Sequence, residues 1–381
     1  MIEKSEYLGR IDRLAARMRE AGLDGVLLTG ESNIDYFSGF RHHAPWTLFA
    51  RPFFQVISAD GRSALLAHTF LEPEMRRTAA VTDIRTTSSS GPAPVQQVKE
   101  LLQDLGMLSG KLGMELGYEQ RLGISVHDFE ALQQALAGIE IADASMLLWQ
   151  SRMIKSRAEI ELMRQSAAVT SAAFAAAFEA ATPGMSEADI GRICGETMIA
   201  QGAERPGFIL ITSGPGNYHV LSGKPTARKL QQGDMLWMDM GAVVNGYWSD
   251  FCRAAYFGKR AAELDAYQAR VLEANDAMIA ATRPGVPVQK VAEAAVREFK
   301  KHGIEVHLGS GRIGHGMGLM STEPPHVALY EQTLCEPGLV FTIEPRITND
   351  KGVFNCEELL VVTPTGAEVL TTAPRDITYI H

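Results

Sequence analysis

Asp239, Asp250, His315, Glu344 and Glu357 are residues of the types that hold a pair of divalent cations. Four carboxylates and one imidazole converging in an interior carry more negative charge than an unpaired polar pocket can hold. Buried without cations, they would cost many kcal/mol or several of them would have to protonate. Two divalent metals remove that cost and activate a water for hydrolysis. One nitrogen among many carboxylate oxygens favours harder ions over thiophilic ones, so Mn²⁺ is expected first, then Fe²⁺, Co²⁺ or Zn²⁺.

The two aspartates must be positioned by a hairpin. The stretch MLWMDMGAVVNGYWSDFCRAAYFG has apolar runs on both sides of Asn245-Gly246. Asn-Gly supplies the positive φ that both centres of a type I′ turn require. That turn places Val244 opposite Tyr247 and Gly241 opposite Asp250. Asp239 lies on the same face as Gly241, so the two aspartates become diagonal neighbours roughly 7–8 Å apart at their backbones. The flanking Trp237, Met238, Met240, Val243, Trp248 and Phe251 predict a buried sheet, where aspartates need partners.

His315 lies in GRIGHGMGLMSTEPP, where Gly314, Gly316 and Gly318 permit close backbone approach. Glu344 closes the apolar run GLVFTIEP, and Pro345 breaks the strand. Glu357 stands in the run CEELLVVT beside Glu358. A glutamate in a β-type run is unfavourable on propensity, and two such runs suggest a functional cost. Neighbouring strand residues face opposite sides, so only one of Glu357 and Glu358 can point inward.

This order (Asp, a second Asp eleven residues on, GHGxG, IEP and a final EE-hydrophobic run) resembles the pita-bread metallopeptidases of family M24. Methionine aminopeptidases, Xaa-Pro aminopeptidases, prolidases and creatinase-like proteins belong to that family, and the resemblance covers roughly residues 150–381. It implies that Asp239 and Glu344 each serve mainly one metal, that Asp250 and Glu357 bridge the two, and that His315 binds one. It further implies cleavage of an amide bond in a small peptide by a metal-bridging hydroxide, with Glu344 as proton acceptor. His219, in SGPGNYHVLSGKPTARKL, matches the family histidine that contacts substrate and assists proton transfer.

Two positions depart from the peptidase pattern. Thr322 stands where peptidases of the family carry His, and Gly311 where Xaa-Pro aminopeptidases carry another. Threonine donates a hydrogen bond but does not titrate near neutral pH. These departures keep an alternative open: the same metals acting on a small non-peptide, amino-acid-like metabolite, as in amidohydrolase or sulfonium-lyase relatives. A binding protein that keeps the fold without the chemistry is the third reading, and a complete ligand set counts against it.

The rest of the chain supplies the scaffold. A length of 381 residues suggests two domains, and 46% hydrophobic content can fill a sizeable interior. Residues 1–150 alternate helical stretches (MIEKSEYLGRIDRLAARMREAG, PVQQVKELLQDLG, VHDFEALQQAL) with strand-like DGVLLTG, FFQVIS and SALLAH, which predicts a small α/β domain. In the first helix Leu8, Ile11, Ala15 and Met18 form one stripe. By resemblance this is a creatinase-like N-terminal domain that serves dimerisation and specificity. From about 145 a long helix is expected, with Ile160, Met163, Ala167, Phe174 and Phe178 on its apolar stripe. Residues 151–381 would form the pita-bread domain, so the fold class is α/β (α+β). An internal echo supports pseudo-symmetry there. ATPGMSEADIGRICGETMIAQGAE and TRPGVPVQKVAEAAVREFKKHGIE both run Pro-Gly, helix, Gly at the same spacing.

In FRHHAPWTLFARPFF, Arg41 and Arg51 stand among His42, His43, Trp46, Phe49 and Phe53. Arginine holds a carboxylate bidentately, so either could read a substrate carboxylate. In family dimers this region approaches the partner's active site, which implies a homodimer. The net charge of −9 argues against a nucleic-acid partner. No stretch is apolar enough to span a membrane, the start lacks a signal-peptide core, and four scattered cysteines read as reduced thiols in a cytoplasmic protein.

Overall fold

A computed structural model describes residues 2–42, 52–306 and 311–381. The chain folds as two compact units, Ile2–Arg152 and Met153–His381.

In the first unit the elements run α1 (Lys4–Glu20), β1 (Gly25–Leu28), α2 (Glu31–Ser38), β2 (Phe54–Ser58), β3 (Ser63–His68), α3 (Glu72–Thr78), β4 (Asp83–Thr87), α4 (Val95–Asp104), β5 (Gly110–Met114), α5 (Val126–Ala135), β6 (Ile139–Asp143) and α6 (Ser145–Met153). The strands form one mixed sheet in the order β4-β3-β2-β1-β5-β6. Ile11, Leu14, Ala15 and Met18 of α1 are buried, but Leu8 is exposed, because the buried stripe runs through Leu14 instead.

The second unit contains α7 (Arg157–Ala180), α8 (Glu187–Ala200), β7 (Arg205–Ser213), β8 (Met235–Val244), β9 (Tyr247–Trp248), β10 (Phe251–Phe257), α9 (Ala262–Ala281), α10 (Val288–Lys301), β11 (His315–Gly316), β12 (Glu323–His326), β13 (Val340–Ile343), β14 (Arg346–Asn349), β15 (Gly352–Asn355), β16 (Glu358–Val362), β17 (Ala367–Val369) and β18 (Thr378–Ile380). One sheet runs β18-β10-β8-β7, with β9 on β8, and a second runs β12-β11-β13-β16-β17. A single buried cluster joins them: Trp237 and Cys252 from the first sheet, Phe341 and Leu360 from the second, and Val271, Ala274, Met278, Val291 and Ala295 from α9 and α10.

The expected long helix is two helices. Ile154 bridges to Leu339, Lys155 N donates to the Gly338 carbonyl at 2.8 Å, and Ser156 opens α7 with a capping box to Glu159. A Ser-x-x-Glu box satisfies orphan donors at a fresh helix start, so it divides the apolar run. The echo is structural: α8 and α10 each have 14 residues, and Ser186 and Pro287 before them make matching β-bridges to Lys229 and Leu334.

Candidate metal centre

The Asn245-Gly246 turn has φ of 47° and 77°, and Val244 pairs with Tyr247. The register continues through Met240–Phe251 to Asp239–Cys252. Asp239 and the Asp250 segment therefore share a face, as the turn chemistry predicts. Helix α7 fixes this segment through Ser249. Its Oγ donates to the Ser166 carbonyl at 3.1 Å and lies 2.9 Å from Thr170 Oγ1, and the Ala242 N–H donates to it at 3.1 Å.

His315 comes from the second sheet. Gly314 adopts φ 145°, and a Cβ there would collide with the Thr342 carbonyl oxygen, which explains the glycine. His315 Nδ1 lies 3.0 Å from the Gly316 carbonyl. A carbonyl only accepts, so Nδ1 carries the proton and Nε2 is left with its lone pair. Nε2 sits 3.6 Å from Asp250 Oδ2. Burial, with the Arg312 charge, pushes His315 down to about 4, which keeps the imidazole neutral. Glu323, paired with Gly316 across the β11–β12 ladder, forms a buried ion pair with Lys155 at 3.2 Å and steadies this loop.

Glu357 completes the inner group just before β16. Donor atoms of Asp250, His315 and Glu357 lie within 4.8 Å of one another, and all three residues are buried. Thr342 links two of them, since its hydroxyl receives the His315 N–H at 3.3 Å and bonds the Glu357 carboxylate. Asp239 hydrogen-bonds Asp250, and Glu344, between β13 and β14, lies close enough for its charge to raise Asp239, Asp250 and Glu357. Burial is the first cause in every case. It lifts Asp239 to about 7 and Asp250 and Glu357 well above the carboxylate range, and it raises Glu344 against the pull of Arg346 and Arg312.

The adjacent Glu358 turns away. It pairs with Arg253 Nη2 at 3.1 Å and Arg375 Nε at 3.2 Å, so Glu357 is the one that faces the site. Asp239 Oδ1 is buried without a hydrogen-bond partner among the described residues. An orphaned acidic acceptor, a neutral imidazole with an open Nε2 and three further carboxylates fit divalent cations and fit no neutral ligand so well.

His219, Thr322 and Arg41 are among the described residues, and Arg51 is not. His219 is exposed on the turn after β7, beside Tyr218, whose hydroxyl accepts the Met235 N–H at 2.9 Å. Thr322 is half-buried immediately before β12. Arg41 is bound to Asp35 at 2.6 Å. Arg51 lies outside the described residues, as do His43, Trp46 and Phe49.

Two buried groupings, around Arg312 and around Arg253, are not singled out by the sequence pattern. Arg312 Nη1 donates to Nδ1 of buried His326 at 2.9 Å, and His326 pairs with His315 across β11–β12. Arg253 is buried in the apolar run FCRAAYF. Its signal was available: a lone arginine in an apolar strand is as costly as the glutamates that drew attention.

Comparison with known proteins agrees with this geometry. The Metallopeptidase family M24 profile matches residues 161–364, and the Creatinase/Prolidase N-terminal domain profile matches residues 10–154. The Xaa-Pro dipeptidase of Pyrococcus furiosus is 27% identical over 370 residues, which is 97% of this chain and 99% of that one. The solved Xaa-Pro dipeptidase from Bacillus anthracis superposes with a TM-score of 0.85 at 25% identity, covering 98% of this chain and 100% of that chain. Dipeptidase PepE from Mycobacterium ulcerans gives 0.84 at 25% identity, covering 100% and 99%. With a matching profile over more than half its length, a creatinase-like first domain and a buried acidic centre in the second, the chain belongs to metallopeptidase family M24 and is a metal-dependent hydrolase.

Proposed function

We propose that the chain cleaves an amide bond beside proline in a small peptide, with two divalent ions held by Asp239, Asp250, His315, Glu344 and Glu357. The observation that carries this reading is the convergence of Asp250, His315 and Glu357 within 4.8 Å beside the unpartnered Asp239 Oδ1. The Xaa-Pro dipeptidases of P. furiosus and B. anthracis support the substrate class. Bound there, the ions, Mn²⁺ in this reading, polarise the scissile carbonyl and lower the pKa of the attacking water.

The side chains supply the rest. Asp239, Asp250, His315 through Nε2, Glu344 and Glu357 would hold the ions, with Asp250 and Glu357 serving both and Asp239 and Glu344 mainly one each. Glu344, half-buried and already raised by burial, accepts the proton of the attacking water. His219 meets the substrate beside the scissile amide and helps the proton reach the leaving nitrogen. Thr322 donates a hydrogen bond to the substrate. Arg41 or Arg51 reads a substrate carboxylate, with the first domain serving specificity in a homodimer. Four buried free thiols support a reducing, cytoplasmic setting.

The test is elemental analysis of gently purified protein, followed by an Xaa-Pro dipeptide panel with Mn²⁺. Turnover that is lost on chelation and restored by metal is expected. Thr322 and Gly311, in place of family histidines, favour one second reading: a small non-peptide metabolite as substrate. Bound metal with no turnover of any peptide would select it.

A further inference from the structure

Arg253 stands three residues after Asp250 and is 2% exposed. Its guanidinium makes six hydrogen bonds, two of them to the Ala373 carbonyl, from Nη2 at 3.1 Å and from Nε at 3.4 Å. Nη1 donates to the Glu357 carbonyl at 2.7 Å and the Cys252 carbonyl at 2.8 Å, Nε donates to the Pro374 carbonyl at 2.8 Å, and Nη2 meets Glu358 Oε2 at 3.1 Å. Strands β10 and β16 belong to different sheets, so no ladder sets the distance between Asp250 and Glu357. Arg253 spans that gap. On the other side of Glu357, Asn275 Nδ2 donates to the Cys356 carbonyl. Each peptide unit flanking the Glu357 Cα is thus gripped by a buried side chain, which fixes the direction of its Cβ.

We propose that Arg253, with Glu358 as its counter-ion, is a positioning residue that sets the separation of Asp250 and Glu357 and so the affinity for the ions they share. The inference rests on the two-metal reading above. A buried ion pair is weak evidence of a stability role, because desolvation consumes most of its attraction. Its geometry is better explained by orientation: the planar fork reaches four carbonyls and a carboxylate at once, which a lysine ammonium cannot. Partners behind metal ligands typically govern affinity by 10–100-fold.

The test titrates the metal-stripped full chain with Mn²⁺ by calorimetry for wild type, Arg253→Lys and Glu358→Gln, well below their melting temperatures. Wild type should take up two ions. In each folded variant at least one dissociation constant should rise about 10–100-fold. Arg253→Lys keeps the charge, so failure of lysine to restore affinity separates geometry from electrostatics. A purely structural role would lower the melting temperature and leave the isotherm unchanged, and folded variants with wild-type affinity overturn the proposal. If Arg253→Lys does not fold, Glu358→Gln decides alone, because it keeps the side-chain shape. Wild type that binds no Mn²⁺ overturns the metal-centre reading as well, which distinguishes the two failures.

Discussion

Stripping the metal should make stability fall as pH rises, opposite to the behaviour of an ordinary acid-sensitive protein. The Asp239–Asp250 carboxyl–carboxyl hydrogen bond needs a proton, and burial holds Asp250 and Glu357 well above the usual range. In the unfolded chain these groups lose their protons near pH 4. A folded-state pKa raised above its unfolded value means that the native state retains protons the unfolded state has released. Stability from these groups is therefore present at low pH and is lost as pH rises through the folded pKa values. His315, depressed to about 4, acts oppositely, but its cost appears only below about pH 6.5, where the unfolded imidazole protonates. Above pH 6.5 the carboxylates act alone. One proton held by the folded state and not by the unfolded chain gives a slope of about 1.4 kcal/mol per pH unit. For a unit of this size that is a fall in Tm of about 3–6 °C per pH unit. Scanning calorimetry of chelated protein, following the transition of residues 153–381, measures it. Saturating Mn²⁺ should abolish the slope, adding about 2.7 kcal/mol at a hundredfold excess over Kd, with protons released into unbuffered solution. A chelated protein whose Tm holds or climbs from pH 6.5 to 8.5 refutes the reasoning.

Asp250→Asn should cut metal content measured by elemental analysis and abolish turnover, because a neutral amide cannot be shared by two cations; retained activity would count against its shared role. His219→Ala should leave metal content at the wild-type level while lowering kcat about 10²–10⁴-fold, the usual range for a proton-transfer helper. Loss of metal in that variant would mean the histidine was misassigned.

The hairpin was fully legible in the sequence because a single local rule, positive φ at Asn245 and Gly246, dictates the register, and the register places Asp239 and Asp250 on one face. Glu357 and Glu358 could not be separated by alternation alone. What separates them is Arg253 and Arg375, which come from elsewhere in the chain and claim Glu358. The helix expected from about 145 failed at Ile154, whose bridge to Leu339 is a long-range contact that no local propensity encodes. The pairing of Arg312 with His326 was hidden for the same reason, since it depends on how β11 and β12 align.

The two aspartates and the residues His315, Glu344 and Glu357 come from opposite halves of the second unit. During synthesis the aspartates emerge first and Glu357 follows about a hundred residues later. An ion therefore has no complete coordination shell to enter until both halves have docked. On the proposed ligand set the fold would form without the metal as template, unlike a zinc finger. The ion would arrive last, as a rivet through two plates already aligned.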